Sequence, residues 1–110
     1  MAPIVQRYGI YWVRLDPTTG HEVAKTRPCV VVSMDSMHPS GMAVVCPVTS
    51  KLHPQWKHRL QVECADKPAE IMVDQIRAVS TARIGKQIAS LSDEEAGALR
   101  GLIAQMYAMP

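Results

Sequence analysis

The chain has 110 residues, of which 47% are hydrophobic and 20% are charged, and its formal net charge is +2. These values predict one folded domain over residues 1–110 and argue against a disordered chain. The longest apolar runs fall short of the roughly 18 residues that a membrane helix needs, so we expect a cytoplasmic protein. The charge is uneven, because residues 1–91 carry eleven Lys and Arg against seven Asp and Glu. A basic body of this kind suits an anionic partner.

Cysteine and histidine spacing gives no sign of a metal site. Cys29, Cys46 and Cys64 are an odd, widely spaced set, which fits neither a zinc motif nor a secreted disulfide framework. The four histidines form no HExxH pair. We therefore predict no metal and no cofactor.

The first predicted strand is Gly9–Leu15, which is rich in β-forming residues and is followed by turn residues at 16–20. A long loop then leads to the next strand, and long loops in small domains are often functional. His21 lies in this loop and could act as a general acid or base, because imidazole titrates near neutrality. A loop histidine is, however, more often simply solvated.

The second predicted strand begins with an arginine and a proline. Arg27 and Pro28 precede the β-branched run at 30–32, and proline in a sheet occupies a first position or an edge. Arg27 should therefore stand at the rim of the sheet, with its guanidinium free to meet an anion. A third strand at 42–48 ends in Thr49 and Ser50. Their hydroxyls can donate to a phosphate, although Ser and Thr also end strands for local hydrogen-bonding reasons.

Residues 51–59 contain three Lys or Arg, two His and no acid. Lys51 and Lys57 could neutralise phosphates, and Trp56 could stack on a base. The alternative is a surface loop whose tryptophan folds back onto the domain.

Two further strands are predicted at 60–64 and 69–73. The second ends in Asp74, Gln75 and Arg77, which could serve catalysis, or Asp74 and Arg77 could form a structural ion pair. If the chain stayed extended, Asp74 would face away from Gln75 and Arg77. Residues 80–88 are predicted to form a turn that leads into a short final strand. A helix follows, and it begins with a capping box formed by Ser92 and Glu95.

The residues thus predict a mostly β, antiparallel domain with a C-terminal helix. Its segments, in their order, resemble the MazF/PemK/Kid family of toxins. The similarity is carried by Ile10-Tyr11-Trp12-Val13, Thr26-Arg27-Pro28, Cys46-Pro47-Val48-Thr49-Ser50, Val73-Asp74-Gln75-Ile76-Arg77 and Leu91-Ser92-Asp93-Glu94-Glu95.

The resemblance implies a small SH3-like, CcdB/MazF-like barrel that forms a homodimer. It also implies a sequence-specific, metal-independent endoribonuclease, an mRNA interferase, that inhibits bacterial growth and is neutralised by an antitoxin with an acidic disordered segment. Such enzymes use the ribose 2′-OH as nucleophile and leave a 2′,3′-cyclic phosphate and a 5′-OH.

The resemblance further implies site residues. Arg27 and Thr49 correspond to the family's central catalytic pair, and either Asp74 or His21 would be the general base. The RNA contacts would come from residues that are polar, basic or aromatic: Ser50, Lys51, Trp56, Lys57, Gln75 and Arg77.

Two positions depart from the family pattern. Arg7-Tyr8-Gly9 lacks the acid that commonly follows an Arg-Gly pair, and Met72 stands where one branch has an arginine proposed as a general acid. The chain would therefore follow the Arg27 and Thr49 scheme or be a weak nuclease. Two other functions stay open, namely a CcdB-like toxin that targets gyrase and a nucleic-acid-binding module without activity.

Overall fold

The computed structural model describes residues 4–15 and 25–108, which form seven strands and one α-helix. The strands are β1 Gly9–Leu15, β2 Lys25–Val31, β3 Met42–Thr49, β4 Arg59–Cys64, β5 Lys67–Met72, β6 Arg77–Ser80 and β7 Ile84–Ser90, and the helix α1 is Asp93–Tyr107. Short 3₁₀ turns occur at Asp35–Ser40, Val73–Gln75 and Thr81–Arg83. The mostly β fold with a C-terminal helix is confirmed.

The strands form one antiparallel arrangement in the order β4-β5-β3-β2-β1-β7, and β6 also pairs with β3. Strand β3 is central because it pairs with β2, β5 and β6 along its length. The sheet curls in the manner of a small barrel. In the ranges 4–15 and 25–108, however, β4 and β7 do not pair, so the barrel is not closed by hydrogen bonds.

The central strands bury both of their faces, as the apolar runs predict. On one face, Val30, Val48 and Ile71 pack with Ala96 and Leu99 of α1. The apolar stripe of the helix therefore covers one side of the sheet. The opposite face carries a second cluster that includes Tyr11, Val13, Cys29, Val31 and Val45.

The start of α1 has the predicted capping box. The Ser92 hydroxyl accepts a hydrogen bond from the backbone N–H of Glu95 at 3.1 Å, and the Glu95 carboxylate accepts one from the backbone N–H of Ser92 at 2.9 Å. The same carboxylate accepts a bond from the backbone N–H of Glu63 at 3.0 Å, which ties the helix to β4.

Replacing the cap should weaken the fold by a modest amount. We expect Ser92→Ala to lower the free energy of unfolding by about 1 kcal/mol, because an N–H at the helix start loses its acceptor. Urea denaturation followed by tryptophan fluorescence measures this. Ser36→Ala, at an exposed position in the turn after β2, is the control and should change nothing; equal stability of the two variants would contradict the capping role.

One expectation about the chain after β5 is wrong. The extended conformation does not continue through Asp74, because Val73–Gln75 turns as a 3₁₀ helix before β6 begins at Arg77. The side chains at 74–77 therefore do not alternate across a strand. The predicted final strand is present as β7, which runs to Ser90.

The absence of an acid at Gly9 has a steric reason. A Cβ added at Gly9 would lie 2.7 Å from Cε1 of Tyr11, whose side chain is buried. The Tyr11 hydroxyl also accepts a hydrogen bond from the backbone N–H of Gln6 at 2.9 Å, so the ring is held in place.

Among the described residues, no helix is long and apolar enough to cross a membrane.

Candidate functional site

Arg27 and Thr49 lie near the ends of β2 and β3 that meet in one groove. The paired part of the two strands runs from Val31 opposite Val45 to Cys29 opposite Pro47, two residues short of Arg27 and Thr49. Beyond this pairing, both side chains line the same groove. The structure therefore brings the two predicted catalytic residues into one groove.

Both residues line a groove of about 390 Å³ where β2 and β3 end against the hairpin of β4 and β5. Its lining includes three cationic side chains and three hydroxyls but no carboxylate. The lining residues are Lys25, Thr26, Arg27, Pro28, Val48, Thr49, Ser50, Cys64, Lys67, Pro68 and Ala69. A groove with this lining is suited to an anion.

The Thr49 hydroxyl is set up to donate. Its oxygen accepts a hydrogen bond from the backbone N–H of Lys51 at 3.1 Å, which leaves the hydroxyl hydrogen available for another acceptor. The side chain of Arg27 is partly buried. Within the part of the chain that the structure describes, no hydrogen bond or ion pair engages its guanidinium. Both groups can therefore meet the same oxyanion.

Lys67 reaches the groove through a tight hairpin. Cys64 pairs with Lys67 across the turn, and the two residues between them, Ala65 and Asp66, have positive φ values of 50° and 64°. Two successive positive φ values give a turn whose twist matches that of the flanking strands. Directly after this turn, Lys67 supplies the third cation of the groove lining.

A buried carboxylate anchors the loop at 51–59. Glu70 on β5 is fully buried, and it is the register partner of Thr49 on β3 and of Gln61 on β4. Its oxygens accept hydrogen bonds from the backbone N–H of His53, from His53 Nδ1 at 3.1 Å, from Arg59 Nη1 at 2.7 Å and from Gln61 Nε2 at 2.7 Å. The loop is thus held against the sheet next to Thr49.

These hydrogen bonds keep Glu70 ionised. Burial by itself would raise the pKa of the carboxyl, but the bonds from Gln61, His53 and Arg59 outweigh it and lower the pKa to about 2. The sequence signal that could have revealed this group is an acid in the middle of an otherwise apolar strand. Lys and Glu are almost never fully buried without partners.

Asp74 lies outside the groove and is bound to the same arginine. Arg59 Nε donates to Asp74 Oδ1 at 2.7 Å and Nη2 donates to Oδ2 at 3.4 Å, while Nη1 is held by Glu70. Burial tends to lower the pKa of Arg59, but the hydrogen bonds to Asp74 and Glu70 raise it. His58 Nε2 is 4.0 Å from Asp74 Oδ2. Asp74 is therefore ion-paired with Arg59.

Trp56 combines the two arrangements considered for it. Its ring stacks on His53 with centroids 3.8 Å apart and an interplanar angle of 13°, and the Arg59 guanidinium lies 4.8 Å from its centroid. The tryptophan thus packs back onto the loop, yet it remains 42% exposed. Lys51 and Lys57 are exposed on the same loop.

The remaining predicted residues occupy other positions. Gln75 and Arg77 are partly buried and line, with Asp74 and Ile76, a separate cavity of about 310 Å³. Their predicted RNA contact stays a prediction. Met72 is buried in β5. His21 lies outside the described residues, and among those residues no group of three or more His, Cys, Asp or Glu side chains could hold a metal ion.

Comparisons of the sequence with known proteins identify one family. The family model for PemK-like, MazF-like toxins of type II toxin–antitoxin systems matches residues 6–107. Endoribonuclease MazF9 of Mycobacterium tuberculosis is 31% identical over 107 residues, covering 84% of this chain and 86% of that protein. Endoribonuclease toxin ChpB of Escherichia coli is 30% identical over 95 residues, covering 81% of this chain and 82% of that protein.

Solved structures agree on the fold. The crystal structure of MazF from Deinococcus radiodurans superposes with a TM-score of 0.84 at 21% identity, covering 97% of this chain and 99% of that one. The MazE-MazF structure from the same organism gives a TM-score of 0.78 at 20% identity, covering 98% and 99% of the two chains. The strand arrangement around the groove is therefore shared with these toxins.

Proposed function

Because the chain belongs to the PemK-like, MazF-like toxin family of type II toxin–antitoxin systems, we propose that it is an endoribonuclease that cleaves single-stranded mRNA and is neutralised by a cognate antitoxin. The site is proposed from the groove, which is lined by Arg27, Thr49, Lys25 and Lys67 and whose lining contains no carboxylate. The activity is supported by the two endoribonucleases to which the chain is similar.

The groove suits the chemistry of RNA cleavage by the ribose 2′-OH. In-line attack at phosphorus builds negative charge on the non-bridging oxygens, and preorganised donors stabilise that charge in the transition state. The guanidinium of Arg27 offers a planar pair of donors, and Thr49 supplies a hydroxyl donor in the same groove. The protein's own cations thus provide the electrostatic stabilisation for a metal-independent reaction.

The RNA strand would leave the groove along the loop at 51–59. Ser50 lines the groove, and the exposed Lys51 and Lys57 lie along the loop that follows it. The exposed part of Trp56 offers a face for one base. The ion pair of Arg59 and Asp74 connects this loop to the turn at Val73–Gln75. Past this ion pair, Gln75 and Arg77 would contact the RNA.

The partners follow from the family. We infer a homodimer that acts in the cytoplasm on mRNA, and an antitoxin whose acidic, disordered segment folds over the basic groove and covers it. The MazE-MazF complex of Deinococcus radiodurans, which shares the fold, supports such a pairing.

The proposal is tested by asking which atom of the substrate the reaction needs. The purified protein, in EDTA, should cut a mixed-sequence RNA at discrete sites and leave a 2′,3′-cyclic phosphate and a 5′-OH. DNA of the same sequence and RNA with a 2′-O-methyl group at the cut site should stay intact, because both lack the nucleophile. Cleavage of these two substrates, or intact RNA together with gyrase-dependent DNA breakage, would overturn the proposal.

A further inference from the structure

One histidine of the loop is held by a carboxylate in a defined tautomer. His53 Nδ1 lies 3.1 Å from Glu70 Oε2, and the backbone N–H of His53 donates to the other oxygen of the same carboxylate. An ionised carboxylate only accepts hydrogen bonds, so Nδ1 must carry the hydrogen. In the neutral ring, Nε2 therefore holds the lone pair and can accept a proton.

This imidazole is linked to the strand position opposite Thr49 through Glu70. Thr49 is the register partner of Glu70, so the two side chains share one face of β3 and β5, and Thr49 lines the groove together with Arg27. His53 is bound to Glu70 and follows Thr49 by four residues. Neighbouring strands are roughly 4.8 Å apart. A ribose next to a phosphate held by Arg27 and Thr49 is thus brought toward the imidazole.

The other histidines that the structure describes are less suited to accept a proton from this substrate. His38 has both ring nitrogens engaged, with Nε2 2.8 Å from the Ser33 hydroxyl and Nδ1 2.9 Å from the Val5 carbonyl. His58 faces Asp74 rather than the groove. Within residues 4–15 and 25–108, no hydrogen bond engages His53 Nε2, and the side chain is 28% exposed.

We propose that His53 is the general base of the RNA cleavage reaction, with Glu70 as the positioning residue that orients its ring. This rests on the proposed ribonuclease function. His53 Nε2 removes the proton of the 2′-OH as the bond from the 2′-oxygen to phosphorus forms and the bond from phosphorus to the 5′-oxygen breaks. The departing 5′-oxygen takes a proton from water, and the imidazolium later returns its proton to solvent. Asp74, held by Arg59, then serves to fix the loop.

The test is the pH dependence of RNA cleavage by the full-length protein. A general base accelerates a reaction roughly 10²–10⁴-fold. The kcat/KM of His53→Ala should therefore be at least about 100-fold lower than that of the parent, and its cleavage rate should no longer fall toward acid pH. His58→Ala, in the same loop, is the matched control and should keep both the rate and the acid limb. His53→Ala retains the other charged or titratable side chains near the ring. These are Glu70, Arg59, which binds the same carboxylate, and His58, which stacks on Trp56.

Two readouts separate catalysis from a merely structural role. Free imidazole should restore cleavage by His53→Ala several-fold, and binding of an RNA with a 2′-deoxy cut site should stay within a few-fold of the parent. Parental activity in His53→Ala, or a loss that imidazole does not restore, would overturn the role of His53 as general base. Neither result would affect the proposed ribonuclease function. Failure of the parent protein to cleave any RNA would instead overturn the proposed function.

Discussion

Arg27→Ala is expected to reduce kcat/KM for RNA cleavage by about 10²–10³-fold, because removal of one preorganised donor from a transition-state oxyanion costs this much in other enzymes. The side chain lines the groove beside Thr49, and no acid among the lining residues competes for it. The loss should appear mainly in kcat, since the charge that Arg27 meets is greatest in the transition state. Single-turnover cleavage of an end-labelled RNA gives this rate directly.

Two matched variants distinguish charge from geometry. Arg27→Lys keeps the positive charge but not the planar fork of donors, so its rate should fall between those of the parent and Arg27→Ala. Arg100→Ala removes an exposed arginine from α1 and should cleave at the parental rate. Parental cleavage by Arg27→Ala would refute the role assigned to this residue.

Glu70→Gln is expected to cost roughly 3 kcal/mol of folding free energy at neutral pH. The carboxyl has a pKa of about 2 in the folded protein against an ordinary value of 4.5, and each tenfold change in proton affinity is worth about 1.4 kcal/mol. The substitution also leaves the donors of Arg59, His53 and Gln61 without an ionised acceptor. Breaking a buried ion pair on one side has costs of this order.

The pH dependence of this stability has a definite sign. Because folding lowers the pKa of Glu70, its contribution is fully present above about pH 4.5 and is lost as the pH falls from there toward about 2. The difference between the parent and Glu70→Gln should therefore shrink over this window. Urea unfolding at several pH values measures it, and Glu63→Gln, at an exposed position on β4, is the control. A difference that stays constant down to acid pH would contradict the ionised, hydrogen-bonded state of Glu70.

Local patterns were sufficient to predict most of the elements. Alternation of β-forming residues located Gly9–Leu15, and the spacing of Ser92 and Glu95 located the start of α1, because both depend on interactions within a few residues. The resemblance to the toxin family placed Arg27 and Thr49 in one site. In the structure, both residues line the same groove.

The rest of the site depends on contacts between distant parts of the chain. Glu70 is bound by His53 and Arg59, which precede it by 17 and 11 residues, so nothing local to β5 predicts its partners. Lys67 enters the groove lining at the start of β5, directly after a turn with two positive φ values. The expectation of an extended Asp74 was wrong because the chain turns at Val73–Gln75 to pass from β5 to β6.

The most direct test of the central claim is the position of a bound substrate. A crystal structure of the protein with an RNA that carries a 2′-deoxy sugar at the cut site should place the scissile phosphate within hydrogen-bonding distance of the Arg27 guanidinium and the Thr49 hydroxyl. Electron density for the RNA along the Asp74 to Arg77 turn, with no phosphate between Arg27 and Thr49, would contradict it.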